Sequence, residues 1–269
     1  MIERVGRLIG LVAPPLVTLV IVVLVWDWLV TSRGVPAFYL PRPGRVLAAL
    51  VEHRFELFQA SLLTAAGAVA GFTSSLVVGT LIAFAFSISP IIQRSLYPYA
   101  ILLQTVPIVA IAPLIILWFG RGFQGLVVVS AILSLFPIVT NVTTGLTRID
   151  HNLLELFAVH RATWLETLFK LRLPNAVPYL VAGAKISCGL AVIGAIVGEM
   201  YAGHGTDWPG LGYLISVTSV RFKTDYAIAA VLCSTALGIG IFAIVSLIGN
   251  IVLGRWLGRG GPPRQSGAG

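Results

Sequence analysis

The chain has 269 residues, of which 57% are hydrophobic and only 10% charged, with a net charge of +8. A soluble domain carries about a quarter charged residues. The composition therefore argues against a water-soluble globule and for a helical membrane protein, since a spanning segment must satisfy its own backbone hydrogen bonds. The basic residues are scattered through short loops and chain ends without interleaved aromatics, which speaks against nucleic-acid binding and for topology and lipid headgroups.

Six runs reach the roughly 20 apolar residues that a span needs. The first, residues 8–30, follows Arg4 and Arg7 and is too long for a signal-peptide core, so it reads as a retained helix, with Asp27 near its outer interface. A polar, proline-containing stretch follows, in which residues 45–54 suit a short interfacial helix. The second span is expected over residues 58–86, with Gly67 and Gly71 at the small-xxx-small spacing of helix contacts. The third is expected over 96–119, carrying Pro98, Pro107 and Pro113, and the fourth over 123–145 with Pro137. Pro178 opens the fifth, 178–200, which holds Lys185 near its start, Gly194 and Gly198 at contact spacing, and Glu199 at its end. Residues 211–220 are apolar but too short to span and suit a re-entrant or interfacial turn. The sixth span covers 226–253, before a basic, Gly/Pro-rich tail containing Arg259 and Arg264. Cys188 and Cys233 lie inside apolar runs and read as packing residues, and the four histidines, His204 among them, show no metal-ligand spacing.

With a cytoplasmic N-terminus, ten Lys and Arg residues fall inside and seven outside, a modest positive-inside bias that puts both termini and residues 153–177 in the cytoplasm. That interval is the polar stretch between the fourth and fifth spans. Counted from Leu154, the residues Phe157, Ala158, Leu165, Leu168 and Phe169 fall on or near one helical face, interrupted by Arg161. Pro174 is expected to stop this helix. On pattern alone, a helix lying on the membrane and a helix docking a protein fit equally.

Glu155, then Arg161-Ala162-Thr163, then Leu173-Pro174 resemble the cytoplasmic motif of permease subunits of ATP-binding cassette importers. In that family the motif begins Glu-Ala-Ala, has Gly six residues after the Glu and ends in Leu-Pro. Here Leu156-Phe157 replace the Ala pair, and Arg161 stands at the Gly position, where glycine would allow a tight bend and close backbone approach and arginine is expected to allow neither. Gln104-Thr105-Val106-Pro107, Ala112-Pro113-Leu114 and Leu117-Trp118-Phe119-Gly120 resemble the third-span pattern of the nitrate, sulfonate and taurine branch. Gly183-Ala184-Lys185, Gly198-Glu199-Met200 and the run from Gly210 to Ile215 extend the likeness over residues 40–253.

The resemblance implies an all-α, polytopic membrane protein of about six transmembrane helices with a cytoplasmic coupling helix between the fourth and fifth. Residues 1–57 would form the first span and outer connection, 58–253 the core permease with its coupling segment, and 254–269 the tail. It implies ATPase-coupling roles for Glu155, Phe157, Ala158, Arg161, Ala162, Leu165, Leu173 and Pro174. It further implies a second copy of the chain, a cytoplasmic ATP-binding subunit pair that holds ATP and Mg, and an extracytoplasmic substrate-binding protein, in a bacterial inner membrane. No Walker-type glycine-rich lysine motif occurs, so no ATP site or other cofactor is expected on this chain, and its role is transport rather than catalysis. The solute would be small and anionic or polar, as in the branch that handles nitrate, sulfonates, taurine, thiamine-precursor pyrimidines and riboflavin-like compounds. Polar residues within spans, namely Gln104, Thr105, Ser134, Asn141 and Glu199, are candidates for the pathway. A channel or secondary transporter needing no ATPase is the competing class.

Overall fold

The computed structural model describes residues 2–202 and 209–257, with side chains from residue 13 to 256 except at positions 90 and 103. The tail with Arg259 and Arg264, His204, and the side chains of Arg4 and Arg7 lie outside the described residues. The described chain is helical throughout: α1 (Ile2–Ser32), α2 (Pro43–Glu52), α3 (Arg54–Ile88), α4 (Pro90–Thr105), α5 (Ile108–Phe119), α6 (Phe123–Thr147), α7 (His151–Val159), α8 (Trp164–Thr167), a π-helical turn (Leu168–Arg172), α9 (Leu173–Ala202), α10 (Leu211–Val220) and α11 (Thr224–Leu257).

Among the described residues, five helices are long and apolar enough to cross a membrane: Ala13–Ser32, Arg54–Ile88, Phe123–Thr147, Trp164–Ala202 and Thr224–Trp256. The expected third span is two helices. It breaks at Val106 (ψ 122°), and Pro107 caps α5. The residue before a proline is pushed out of the helical region, so the chain turns there. Pro98 and Pro113 sit inside α4 and α5 without breaking them. The expected interfacial helix after the first span is α2, started by Pro43 at its first turn, and the short apolar piece is α10.

The core is the contact of α6 with α9 on one side and α3 on the other. Glycine sets the spacing, as lipid tails supply no hydrophobic drive between helices and close packing must substitute. Gly67 and Gly71 of α3 face Leu126 and Ser130 of α6, while Gly198 and Gly194 of α9 approach the same two residues. A Cβ on Gly194 would lie 2.6 Å from the Ser130 Cα. Serines then stitch the backbones. Ser130 Oγ donates to the Ala191 carbonyl (2.8 Å), Ser187 Oγ to the Ser134 carbonyl (2.7 Å), and Ser134 Oγ to Ser75 Oγ (2.9 Å). Cys188 is buried in α9, in line with its reading as a packing residue.

Gly194→Ala is expected to force α6 and α9 apart and cost about 1–3 kcal/mol. Gly189→Ala, with nothing within 4 Å of its new methyl group, is expected to be neutral. Thermal unfolding in detergent checks the pair, and equal melting temperatures would contradict the packing account.

Candidate functional site

The polar interval between α6 and α9 is a capped elbow rather than one helix. Asp150 starts α7, its side chain accepting from the Asn152 N–H at 2.9 Å. α7 ends where Arg161 takes a positive φ of 53°. The Ala162 N–H donates to the Phe157 carbonyl and the Arg161 N–H to the Ala158 carbonyl, both at 3.0 Å. That pair of bonds is the Schellman arrangement, which usually places glycine at the left-handed residue. The sequence expectation that Arg161 opposes a tight bend is therefore corrected: Arg161 makes the bend that glycine would make, held by two backbone bonds.

The next helix starts at once. Thr163 Oγ1 accepts from the Glu166 N–H at 3.2 Å, and Glu166 Oε2 accepts from the Thr163 N–H at 2.9 Å, a capping box. Lys170 Nζ closes on Glu166 Oε1 at 3.2 Å. The expected helix end at Pro174 is also corrected. The chain runs helically from Trp164 to Ala202, passing Pro174 through the π turn. A proline ring clashes with the carbonyl four residues back. The wider turn, in which the Leu173 N–H reaches the Leu168 carbonyl, accommodates that conflict. At 1.5 Å per residue this run is about 58 Å long, well beyond a hydrocarbon core of about 30 Å, so its first turns project from the membrane.

The elbow is fixed to the core behind it. Asn175 Nδ2 donates to the Gly145 carbonyl (2.7 Å) and the Arg148 carbonyl (3.0 Å), filling acceptors that the end of α6 leaves open. Arg172 reaches the Leu146 carbonyl at 3.4 Å. In front, none of α7 is buried. Leu153, Leu156, Val159, Trp164, Leu165 and Phe169 are exposed. Leu156, Phe157, His160, Ala162, Glu166 and Lys170 line a groove of about 320 Å3 between α7 and the following turns. Of the sequence candidates, Phe157 and Ala162 are thus together in the groove, Ala158 and Leu165 lie exposed beside it, and Glu155 is exposed and pairs with His151 at 3.1 Å. Leu173 and Pro174 are half-buried at the root of α9. Sequence reasoning missed Asn175, Arg172 and the Thr163–Glu166 box; the last is written in the sequence as Thr-x-x-Glu.

The pathway candidates do not share one place. Gln104 and Thr105 are exposed at the end of α4. Ser134 is buried within the α3–α6–α9 contact. Asn141 is half-buried, its Nδ2 donating to the Pro137 carbonyl at 2.7 Å. Glu199 is buried and caps a separate helix: its Oε2 accepts from the Gly212 N–H of α10 (2.8 Å) and from Thr64 Oγ1 of α3 (3.0 Å). Thr64 Oγ1 in turn accepts from the Leu211 N–H at 3.0 Å. A carboxylate at a helix N-terminus meets open N–H groups and the positive end of the dipole.

Helices of membrane length, a broken span and a capped helical elbow between α6 and α9 define a multi-pass membrane protein. The chain belongs to the family described as binding-protein-dependent transport system inner membrane component, whose model matches residues 75–258. It is 32% identical to the riboflavin transport system permease protein RibX of Chloroflexus aurantiacus, over 89% of this chain and 88% of that one. It is 30% identical to the formylaminopyrimidine transport permease protein ThiX of Halalkalibacterium halodurans (88% and 94% covered) and 28% identical to a putative aliphatic sulfonates permease, SsuC, of Bacillus subtilis (90% and 83%). Its fold matches a chain of the MetNI methionine transporter in an inward-facing form, with a TM-score of 0.62 and 17% identity over 76% of this chain and 98% of that one. The chain is a membrane translocation subunit of an ATP-driven importer, a transport subunit rather than an enzyme.

Arg161→Gly is expected to relieve the left-handed residue by roughly 0.5–1 kcal/mol, net of the greater freedom of glycine in the unfolded chain. Hydrogen exchange at the Ala162 amide should then slow about two- to fivefold, whereas Arg161→Val should speed it; the opposite order would contradict the Schellman reading. Glu199→Ala strands the Gly212 N–H and is expected to cost about 1–3 kcal/mol, seen as faster exchange across residues 211–214, and unchanged exchange there would remove Glu199 from the cap.

Proposed function

We propose that the elbow from His151 to Arg172 is the handle by which a cytoplasmic ATP-binding subunit moves this chain. The observation that carries the reading is the pairing of an unburied apolar row, Leu153, Leu156 and Val159, with a rigid backing. The row is more than a third exposed at each residue, while Asn175 and Arg172 tie the elbow to the end of α6. A surface helix meant only for lipid needs no such attachment. Glu155, Phe157, Ala158, Arg161, Ala162, Leu165, Leu173 and Pro174 shape or back this handle.

The basic residues Arg148, Arg161, Lys170 and Arg172 cluster at this end, which supports a cytoplasmic handle and cytoplasmic termini in a bacterial inner membrane. Two copies of the chain form the pathway, with an extracytoplasmic binding protein delivering solute and the ATPase pair holding ATP and Mg; this chain contributes no ATP site. Relatives named for riboflavin, formylaminopyrimidine and sulfonate transport support a small polar or anionic solute. Gln104, Thr105, Asn141, Ser134 and Glu199 stay assigned to the pathway region, the last two as supports of its wall.

Leu156→Asp places a charge on the docking row without touching the core. Co-purification of the ATPase subunit is expected to fall at least tenfold, as for hot-spot residues worth 2 kcal/mol or more. Glu155→Ala is expected to weaken docking less. Full co-purification of Leu156→Asp with an intact melting temperature would defeat the handle assignment.

A further inference from the structure

Pro178 lies inside α9, four residues after Pro174. An α-helix gives each carbonyl a partner in the N–H four residues ahead. Pro178 has no N–H, and its ring crowds the carbonyl of Pro174 and pushes it outward. The Pro174 carbonyl thus loses its helical partner at the point where α9 meets the coupling elbow. The indole of Trp256, near the end of α11, fills the vacancy: its Nε1–H donates to the Pro174 carbonyl at 3.2 Å.

This bond is the outermost rung of one seam. Moving into the membrane, Gly249 of α11 packs on Val181 of α9, where a Cβ would come within 2.6 Å of the Val181 side chain. One turn further along α9, Lys185 reaches back past Gly249, and its Nζ donates to Asn250 Oδ1 at 3.0 Å. Positions 174 and 181 pair with 256 and 249 in antiparallel register, seven residues apart on each helix, so these two rungs lie along a single helix face. The first turns of α11 are held by Tyr226, Ala229 and Ala230 in the cluster with α2, α3 and α10, but from residue 235 to 256 Gly249 alone is buried. The Trp256 bond therefore decides whether the end of α11 follows the elbow or frays from it.

We infer that Trp256 is a positioning residue: its indole N–H substitutes for the donor missing at Pro178 and ties α11 to the root of the coupling handle, so that the two move together. The inference rests on the handle reading above. An interfacial tryptophan also anchors a helix end through its amphipathic ring alone, and the experiment separates the two roles. Pro178→Ala returns an N–H to the helix, which gives the Pro174 carbonyl an internal partner and releases Trp256.

The test is hydrogen exchange on the full transporter with its ATPase subunit in lipid vesicles, nucleotide-free and with Mg-ATP plus vanadate. In the nucleotide-free state, Trp256→Phe is expected to speed exchange over residues 249–257 about three- to tenfold, the scale of one net hydrogen bond. In the Pro178→Ala background the same substitution should change it less than about twofold, since the bond is already gone. With vanadate trapping, residues 151–159 should respond in every variant, while the response of 249–257 should disappear in Trp256→Phe and in Pro178→Ala. An equal Trp256→Phe effect in both backgrounds, or an α11 response that survives loss of the indole N–H, overturns the tether. A parent transporter in which residues 151–159 ignore nucleotide sinks the handle reading instead, and leaves the nucleotide-free comparison to decide the tether.

Discussion

Each proline inside a membrane helix removes a hydrogen-bond donor where the bilayer offers none in exchange, and the form of this chain follows from how those losses are met. At Pro107 the loss is met by stopping: the helix ends at Thr105 and a new one starts at Ile108. At Pro174 it is met by widening, through the π turn Leu168–Arg172. At Pro178 it is met from outside, by the Trp256 indole. These three responses are different mechanical objects. A break leaves two helices that can reorient, a widened turn keeps the helix continuous while shifting its face, and an outside donor binds a second helix to the first.

Glycine and serine do the complementary work at the centre. Leu126 and Ser130 of α6 are approached from both sides, by Gly67 and Gly71 on α3 and by Gly198 and Gly194 on α9. Backbones that close leave no room for independent sliding, and the serine bonds from Ser130, Ser134 and Ser187 fix the register. Bistable switching needs rigid parts that meet at few places, and the α3–α6–α9 stack is the rigid part.

Much of this was legible in the sequence. Apolar runs located the spans, and small residues at four-residue spacing located the contacts of α3 and α9 with α6. The interval between α6 and α9 was recognisable by its polarity and by the spacing from Glu155 to Pro174. What periodicity could not resolve was the elbow. Phe157 and Leu165 satisfy a helical repeat whether or not the helix between them is broken, and Arg161 carries no propensity that announces a left-handed residue. The capping box at Thr163 and Glu166 was the readable sign of a restart. The role of Glu199 was hidden for another reason: its partners, Thr64 and Gly212, come from elements remote in the chain or across a loop, and a polar residue in a span points to a pathway and to a helix contact with the same one-letter signal. The same ambiguity covers Ser134, which the fold turns inward against Ser75.

The attachment of the elbow sets what a push on it moves. Asn175 and Arg172 grip the end of α6 while belonging to α9 and the π turn that leads into it, so the elbow has no hinge of its own between those two helices. Gly145 makes the same point sterically, since a Cβ there would lie 2.7 Å from the Ala176 Cα. Force on α7 therefore enters α6 and α9 together, and through the shared Leu126–Ser130 contact it reaches α3. α5 belongs to that body, since Ala112, Ile115 and Ile116 pack on Val129 of α6 and Val197 of α9; outside it are α4, separated from α5 at Pro107, and α1, which touches little beyond α2. Under the handle reading proposed above, a push on the elbow moves the α3–α6–α9 stack as one piece relative to α4 and α1, with α11 joined to the stack by its seam on α9.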